Sequence, residues 1–228
     1  MQARILGLLA AGMVAGSIAA SAAPITYTFT ATGPTPGSLP TGGGLGALAF
    51  SANDVITFTF VGDTADVLSF TTPVNGHEIL AGTASITVTD QTSHAVLAQG
   101  TFLSTDAMFV SVDNVNGGIG FGSAGVLPTD PNFPGDPAYP LGIFAANTYD
   151  LQSAFSTTGG ATACVGFPGA CVTPIALATT AGDLIMSPTS GYSATFTATL
   201  GTVPEPATLG LLMFGIAGLA FARRRGAP

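Results

Sequence analysis

The sequence has almost no positive charge. It contains no lysine, and its four arginines lie near the two ends, at Arg4 and at Arg223, Arg224 and Arg225. Residues 23–202 therefore carry eleven carboxylates and no lysine or arginine, which gives this part a formal net charge of −11. Binding of DNA or RNA requires cationic side chains that neutralise phosphate, so nucleic acid is excluded as a partner.

The lack of basic side chains excludes further chemistry. No lysine is available to form a Schiff base with a carbonyl substrate, and no basic side chain can clamp the phosphates of a nucleotide. An anionic polysaccharide would be repelled unless a divalent cation bridged it to the protein. Because residues 23–202 cannot form Lys or Arg ion pairs, apolar burial and backbone hydrogen bonds must stabilise the fold.

Histidine and tryptophan are also scarce. His77 and His94 are the only histidines, and no serine lies in a G-x-S-x-G motif. Two histidines cannot form a three-histidine zinc site, which leaves only a mixed site of histidine and carboxylates open. We predict a non-enzymatic protein without a cofactor or metal. A hydrolase that uses His77 is the alternative left open. Without tryptophan, only four side chains offer a polar-tipped ring for a sugar: Tyr27, Tyr139, Tyr149 and Tyr192.

The first 22 residues have the features of a secretory signal peptide. Arg4 supplies a positive start, an apolar run follows, and Ala20–Ala22 fits the small-x-small cleavage pattern. We expect cleavage after residue 22, because a cut after Ala23 would place Pro24 at the scissile bond. Signal peptidase and the secretion machinery are therefore expected partners.

Cys164 and Cys171 are the only cysteines. In an exported protein two cysteines predict a disulfide bond, because the periplasm oxidises thiols. The bond would stabilise the fold by about 2–3 kcal/mol in the chain-entropy account. With no histidine nearby, the pair makes a poor metal site.

Residues 23–202 alternate apolar and hydroxyl side chains in several short stretches. In 25–32 every second residue is threonine and those between are apolar, which is the period of a strand with one buried and one wet face. About nine such stretches predict an all-β protein, an antiparallel β-sandwich over residues 23–202. The first and last share a Thr-aromatic-Thr pattern and could be neighbours in one sheet. The predicted strands are 25–32, 55–61, 65–71, 79–90, 95–103, 107–112, part of 143–155, 183–186 and 192–200.

Segments rich in glycine and proline separate these strands. Residues 33–46, 127–140 and 157–174 are predicted loops, because they offer few apolar side chains to a core. Residues 143–155 fit either a strand that ends at Asp150 or one short helix.

Two local patterns resemble ligand sites. Gly120–Gly125 matches G-x-G-x-x-G, but Pro128 follows where a dinucleotide-binding loop needs a helix, so a glycine-rich turn is predicted. Asp130–Asp136 offers closely spaced oxygen ligands for calcium, and Asp63 and Asp66 form a second small acidic group. Solvated turn aspartates are the simpler interpretation of both acidic groups.

The C-terminal residues form three parts in a fixed order. Two prolines hold the first part extended, because proline fixes φ and restricts the residue before it. Residues 207–222 carry no charge, and as a helix they would span roughly 24 Å. The arginines that follow stop the span and favour the cytoplasmic side. The three parts are Val203, Pro204, Glu205 and Pro206, then 207–222, then Arg223, Arg224 and Arg225.

This order of parts resembles the PEP-CTERM sorting signal. The resemblance implies that residues 203–206 are recognised by an exosortase, a membrane-embedded, transpeptidase-like enzyme. It implies that one membrane-spanning helix holds the motif at the membrane and that Arg223–Arg225 fix its topology. The tail would be removed as the protein passes from the inner membrane to the surface of an exopolysaccharide-making Gram-negative bacterium. The signal covers residues 203–228.

The two end signals and the charge together predict a location more firmly than an activity. We predict an exported protein of the cell surface or extracellular matrix, with a structural or adhesive role in an exopolysaccharide or biofilm layer. Exopolysaccharide is the expected partner in that layer. The alternatives are a calcium-dependent carbohydrate-binding module and a hydrolase that uses His77.

Overall fold

The described part of the chain is built almost entirely of β-strands. The computed structural model describes residues 22–32, 43–71, 75–106, 108–115, 117–123, 138–144, 148–166, 169–170, 175–186 and 189–202. The predicted all-β, antiparallel class is confirmed, and the described residues form 16 strands rather than about nine. They are β1 (Pro24–Thr32), β2 (Gly44–Leu45), β3 (Leu48–Ala49), β4 (Asp54–Asp63), β5 (Val67–Phe70), β6 (Gly76–Ile79), β7 (Gly82–Asp90), β8 (Val96–Thr101), β9 (Met108–Asp113), β10 (Gly118–Ser123), β11 (Ala138–Phe144), β12 (Phe155–Gly166), β13 (Gly169–Ala170), β14 (Ile175–Thr179), β15 (Gly182–Met186) and β16 (Thr189–Leu200), with 3-10 turns at Thr64–Asp66 and Ser104–Asp106.

Twelve strands form one antiparallel sheet. Its order is β5-β6-β9-β10-β11-β12-β16-β1-β4-β7-β8, and β13 pairs with β12. The other four form a second sheet in the order β14-β15-β2-β3. The proposed proximity of the first and last long strands is confirmed, because β1 and β16 pair from Ile25 opposite Leu200 to Thr32 opposite Ser193.

The alternating sequence gives the central strands one apolar face. Tyr27 and Phe29 of β1, Phe58 of β4 and Phe196 of β16 are fully buried. Phe29 lies opposite both Phe58 and Phe196 in the register. Burying one such side chain contributes about 1.5–3 kcal/mol, so this aromatic row is a main source of stability. The residues between them point to the other face.

The large sheet folds over itself around the core. β10 is separated from β16 by β11 and β12 in the strand order. The ring of Phe121 in β10 nevertheless lies 5.9 to 6.4 Å from the rings of Phe29, Phe58 and Phe196. The β10 region of the sheet therefore faces the β16-β1-β4 region across a single core.

The four-stranded sheet adds to the same core. Leu45, Leu177 and Leu184, from β2, β14 and β15, belong to the buried cluster that contains the phenylalanines. A bridge between Phe102 and Thr179 joins this sheet to the chain just after β8. The small sheet thus continues the β8 side of the large one.

Two segments predicted as a loop and a turn are strands. β12 occupies much of the predicted loop 157–174 and pairs with β16 across Gly159 and Gly160. β10 covers most of Gly120–Gly125, and the ring of Phe109 lies where a side chain at residue 122 would stand. β12 has few large apolar side chains, so its pairing depends on the neighbouring strands β11 and β16. In β10, Ile119 and Phe121 alternate with glycine, and both side chains are buried.

The predicted boundaries around residue 144 are also corrected. β11 spans the end of the predicted loop 127–140 and the start of the ambiguous segment 143–155. The strand ends at Phe144 rather than Asp150. Asp150 instead stabilises a bend, because its Oδ1 accepts hydrogen bonds from the backbone N–H of Gln152, at 2.9 Å, and from the hydroxyl of Ser153, at 3.3 Å.

Among the described residues no helix has the length and apolar character that a membrane crossing requires. The predicted membrane-spanning helix over 207–222 lies outside the described residues, as do residues 1–21 of the predicted signal peptide. Both assignments stay predictions.

Candidate functional site

The chain leaves the large sheet at the end where it entered. Leu200, the last residue of β16, lies opposite Ile25 of β1. The backbone N–H of Gly201 then donates to the carbonyl of Pro24, at 2.7 Å. Only Gly201 and Thr202 separate the paired strand from Val203, the first residue of the predicted sorting motif. An extended chain of four residues from Leu200 would place residue 204 within about 14 Å of the sheet.

The start of the predicted mature chain is fixed at the same end. The backbone N–H of Ala23 donates to Oγ1 of Thr64, at 3.0 Å, and the N–H of Thr64 donates to the carbonyl of Ala23, also at 3.0 Å. The predicted signal-peptidase bond and the predicted sorting motif therefore both lie within three residues of a paired backbone, at one end of β1 and β16. Residues 203–206 and Arg223–Arg225 lie outside the described residues, and their roles stay predictions.

Two buried tyrosines hold a bend near this end of the sheet. The hydroxyl of Tyr27 donates to the carbonyl of Leu151, and the hydroxyl of Tyr149 donates to the carbonyl of Ser153 at 2.7 Å. Tyr149 also stacks on Phe155, with ring centroids 4.3 Å apart. Leu151 has a positive φ of 60°, which costs a side-chain-bearing residue about 1–3 kcal/mol. The bond from Tyr27 and the burial of Leu151 offset that strain.

We expect this pair of tyrosines to make the fold sensitive to alkali. Burial, then the Asp150 carboxylate, raises the pKa of Tyr27, and burial, then Tyr27 and Asp150, raises the pKa of Tyr149. Above about pH 10 the unfolded chain loses these protons while the folded chain keeps them, so the free energy of unfolding should fall as pH rises. The chain has no lysine to obscure this effect.

Urea unfolding between about pH 8 and pH 11, followed together with tyrosinate absorbance, would measure this fall. The control is the variant Tyr27→Phe with Tyr149→Phe, whose free energy of unfolding should depend less on pH than that of the unmodified protein. An unfolding free energy that stays constant over this range in the unmodified protein would show that neither tyrosine is protected.

His77, which the hydrolase alternative would use, lies in strand β6. Its Nδ1 is 3.1 Å from the hydroxyl of Ser69, directly opposite in β5. A serine–histidine pair is part of a hydrolase site, but catalysis also requires an acid that orients the ring and donors for an oxyanion. Within the described residues, the ring of His77 has no hydrogen bond to a carboxylate. His94 lies in the turn after β7, with a φ of 58°.

Several of the described aspartates accept hydrogen bonds in turns. Asp90 accepts hydrogen bonds from the backbone N–H and hydroxyl of Ser93, the backbone N–H of Thr92 and the amide of Asn53, at 2.7 to 3.0 Å. These bonds, those from Ser93 above all, lower the pKa of Asp90. Asp63 accepts from the N–H of Ala65 at 2.9 Å and caps the 3-10 turn that contains Asp66. Within the described residues no group of three or more His, Cys, Asp or Glu could hold a metal ion. The stretch 130–136 lies outside them.

Only one cysteine of the predicted disulfide is a described residue. Cys164 lies in β12, and Cys171 lies outside the described residues. Val165 pairs with Ala170 and Gly166 with Gly169 in the described part of this hairpin. The disulfide bond stays a prediction. We expect an intact mass lower by two hydrogen atoms, restored by reduction; an unchanged mass after reduction would contradict the bond.

The outer face of the central strands carries two continuous rows of hydroxyl side chains. They run across six adjacent strands, and each residue lies opposite the next in the register. We call these twelve residues the hydroxyl face. The first row is Ser156, Thr197, Thr28, Thr59, Ser85 and Thr101, and the second is Thr158, Thr195, Thr30, Thr57, Thr87 and Gln99.

The hydroxyl face is exposed at its edges and half-buried at its centre. Adjacent strands lie about 4.8 Å apart and same-face residues about 6.7 Å apart along a strand, so the hydroxyls form a grid. Oγ1 of Thr158 is 3.0 Å from Oγ1 of Thr195, and Oγ1 of Thr30 is 3.5 Å from Oγ1 of Thr57. A Cβ added to Gly160, the next outward position of β12, would meet nothing within 4 Å, so the space there is open.

The sequence pattern predicts the threonines of this face only as the solvent-exposed sides of separate strands. Their alignment depends on the order β12-β16-β1-β4-β7-β8, in which neighbours are far apart in the chain. The signal that could have found the face is the recurrence of threonine at every second position in several strands without a charged residue among them.

Comparison with known proteins identifies the segment that follows β16. The family model of the PEP-CTERM protein-sorting motif matches residues 202–225. No curated protein and no solved structure matches the chain. The motif indicates export and sorting to the bacterial cell surface, and it implies processing by exosortase, a membrane enzyme.

Proposed function

We propose that this chain, which carries the PEP-CTERM sorting motif, is a non-enzymatic structural or adhesive protein of a bacterial exopolysaccharide layer. The observation that carries the proposal is the motif at residues 202–225, which begins two residues after the last strand of the sheet. Because the sorting signal is joined to the β domain by so short a connection, the β domain is the part of the protein that the signal would bring to the cell surface.

The proposed route uses both ends of the chain. Signal peptidase removes residues 1–22, and residues 23–202 fold as an antiparallel β-sandwich outside the cytoplasm. The apolar segment 207–222 holds the protein in the inner membrane of a Gram-negative cell, and Arg223–Arg225 keep its end on the cytoplasmic side. Exosortase then recognises residues 203–206, close to the sheet, and the tail is removed.

The proposed lack of enzymatic activity follows from the candidate side chains. Ser69 and His77 are a cross-strand pair on a short hairpin, and such polar pairs stabilise antiparallel strands by about 0.2–1 kcal/mol. Several of the described carboxylates accept hydrogen bonds in turns, as Asp54 does from the N–H and hydroxyl of Ser51, at 2.8 and 2.9 Å. These contacts support structural roles for both groups.

Deletion of the gene tests the proposed role in the layer. We expect cells without the protein to shed a larger share of their exopolysaccharide into the medium under shear. The measurement is the ratio of cell-bound to released polysaccharide, with the total as a control for synthesis. Complementation with the unmodified gene should restore the ratio, whereas a copy that ends at Thr202 should not. An unchanged ratio in the deletion strain would contradict the structural role.

A further inference from the structure

The hydroxyl face is unusual among wet sheet faces because none of its twelve residues is ionisable. Eleven carry a hydroxyl and Gln99 carries an amide. Exposed faces of β-sheets ordinarily include lysine and glutamate, which also prevent edge pairing and aggregation. The nine carboxylates among the described residues all lie outside this face, and residues 23–202 carry eleven in total. The face is therefore neutral within a strongly acidic protein.

Each hydroxyl on this face can donate one hydrogen bond and accept two. In the described part of the chain, the side-chain hydrogen bonds within the face are those of the pairs Thr158–Thr195 and Thr30–Thr57. The other hydroxyls therefore have donor and acceptor capacity that water or a ligand can use. The threonine methyl groups between them supply small apolar contacts.

The composition of the face excludes several classes of partner. Nucleic acids and other polyanions need cationic side chains, which the face lacks, and the net negative charge of residues 23–202 would repel them. A lipid surface needs large apolar side chains, which the face lacks. Protein interfaces concentrate their binding energy in Trp, Tyr and Arg, which are also missing from it. A neutral polymer rich in hydroxyl groups is the class of partner that matches the uncharged, hydrogen-bonding side chains of the face.

We infer that the hydroxyl face binds a neutral polysaccharide, through repeated hydrogen bonds between threonine and sugar hydroxyls. Six strands at about 4.8 Å spacing make the face about 24 Å across, which is long enough for several sugar units. Each contact would be weak, and the repetition of contacts along one chain would supply the affinity. The inference rests on the proposed function, because that function places the protein in an exopolysaccharide layer where such a ligand is present.

Binding by the purified full-length chain tests this inference. The chain would be kept in a detergent without a sugar headgroup, and its retention measured by affinity electrophoresis in gels that contain dextran, galactomannan, a β-glucan or the polysaccharide shed by the host. Alginate serves as the anionic comparison. We expect retardation by at least one neutral polysaccharide and none by alginate.

A quadruple variant separates the face from the rest of the molecule. Thr28→Val, Thr30→Val, Thr57→Val and Thr59→Val remove four central hydroxyls and keep β-branched side chains of similar shape. We expect the dissociation constant to rise by at least about tenfold. The control variant Thr71→Val with Thr105→Val changes exposed threonines outside the face and should bind as the unmodified chain does.

Three results would overturn the inference. They are the absence of retardation by every neutral polysaccharide, equal binding by the quadruple variant, and sedimentation of the unmodified chain as an oligomer that the quadruple variant abolishes. The last would show that a second copy covers the face. Because binding is measured on purified protein, its failure is distinct from failure of the proposed role, which is measured by polysaccharide shedding from the deletion strain.

Discussion

The double substitution Glu205→Ala with Pro206→Ala should leave the full-length protein in the membrane, with the arginine cluster still attached. An extended Pro-Glu-Pro segment presents its carboxylate with little ordering cost, because each proline already fixes its own φ. Removing both the charge and one proline takes away the group that exosortase is proposed to recognise and the constraint that holds it. Release to the surface is expected to fall to near zero.

Fractionation followed by mass measurement of the retained protein would show this effect. A matched control is Thr199→Ala with Leu200→Ala, because these residues are adjacent, exposed and immediately upstream of the motif. This control should be released normally, which shows that the region tolerates two alanines. Normal release of the motif variant would contradict the assigned recognition site.

Replacing Phe196 by alanine should lower the free energy of unfolding by about 3–5 kcal/mol. The ring is fully buried and lies 6.1 to 6.4 Å from the rings of Tyr27, Phe121, Tyr149 and Phe155. It therefore joins β16 to the strand beside it, to the folded-over part of the sheet and to the tyrosine-held bend. A domain of this size has about 5–15 kcal/mol of stability in total, so the loss should be conspicuous.

The neighbouring residue provides the control for this substitution. Thr197 lies in the same strand and points to the opposite, half-exposed face, so Thr197→Ala should cost less than about 1 kcal/mol. Urea unfolding at neutral pH would measure both variants. Similar midpoints for Phe196→Ala and Thr197→Ala would contradict the assignment of the two faces.

The sequence pattern is informative where one strand face is strongly apolar. Residues 25–32 alternate threonine with Ile, Tyr, Phe and Ala, and residues 192–200 do so almost as regularly, so both were recognised as strands and even as possible neighbours. The alternation of apolar and polar side chains within each of these strands is enough to predict the strand, because each strand buries one face against the core.

Other strands could not be recognised because their partners define them. β12 contains Gly159 and Gly160 and few large apolar residues, yet it lies between β11 and β16 and its backbone groups pair with both. The fold-over of the sheet was equally hidden, since it depends on the contact of Phe121 with residues on strands distant in the sequence.

The sorting signal could be read from the sequence because its information is local. Prolines, a carboxylate, an apolar run and a basic end occur in one order within 24 residues, and the family match covers that stretch. The hydroxyl face is the opposite case, because its rows exist only once six strands are placed in register.

Intact mass and C-terminal peptide mapping of the protein from its host, in surface and membrane fractions separately, test the central claim most directly. The claim predicts a surface form that starts at Ala23 and lacks the residues beyond 203–206, and a smaller membrane pool that still contains Arg223–Arg225. A protein that keeps the arginine cluster in every fraction and remains in the membrane would contradict sorting by exosortase, because the C-terminal segment would then be a permanent anchor.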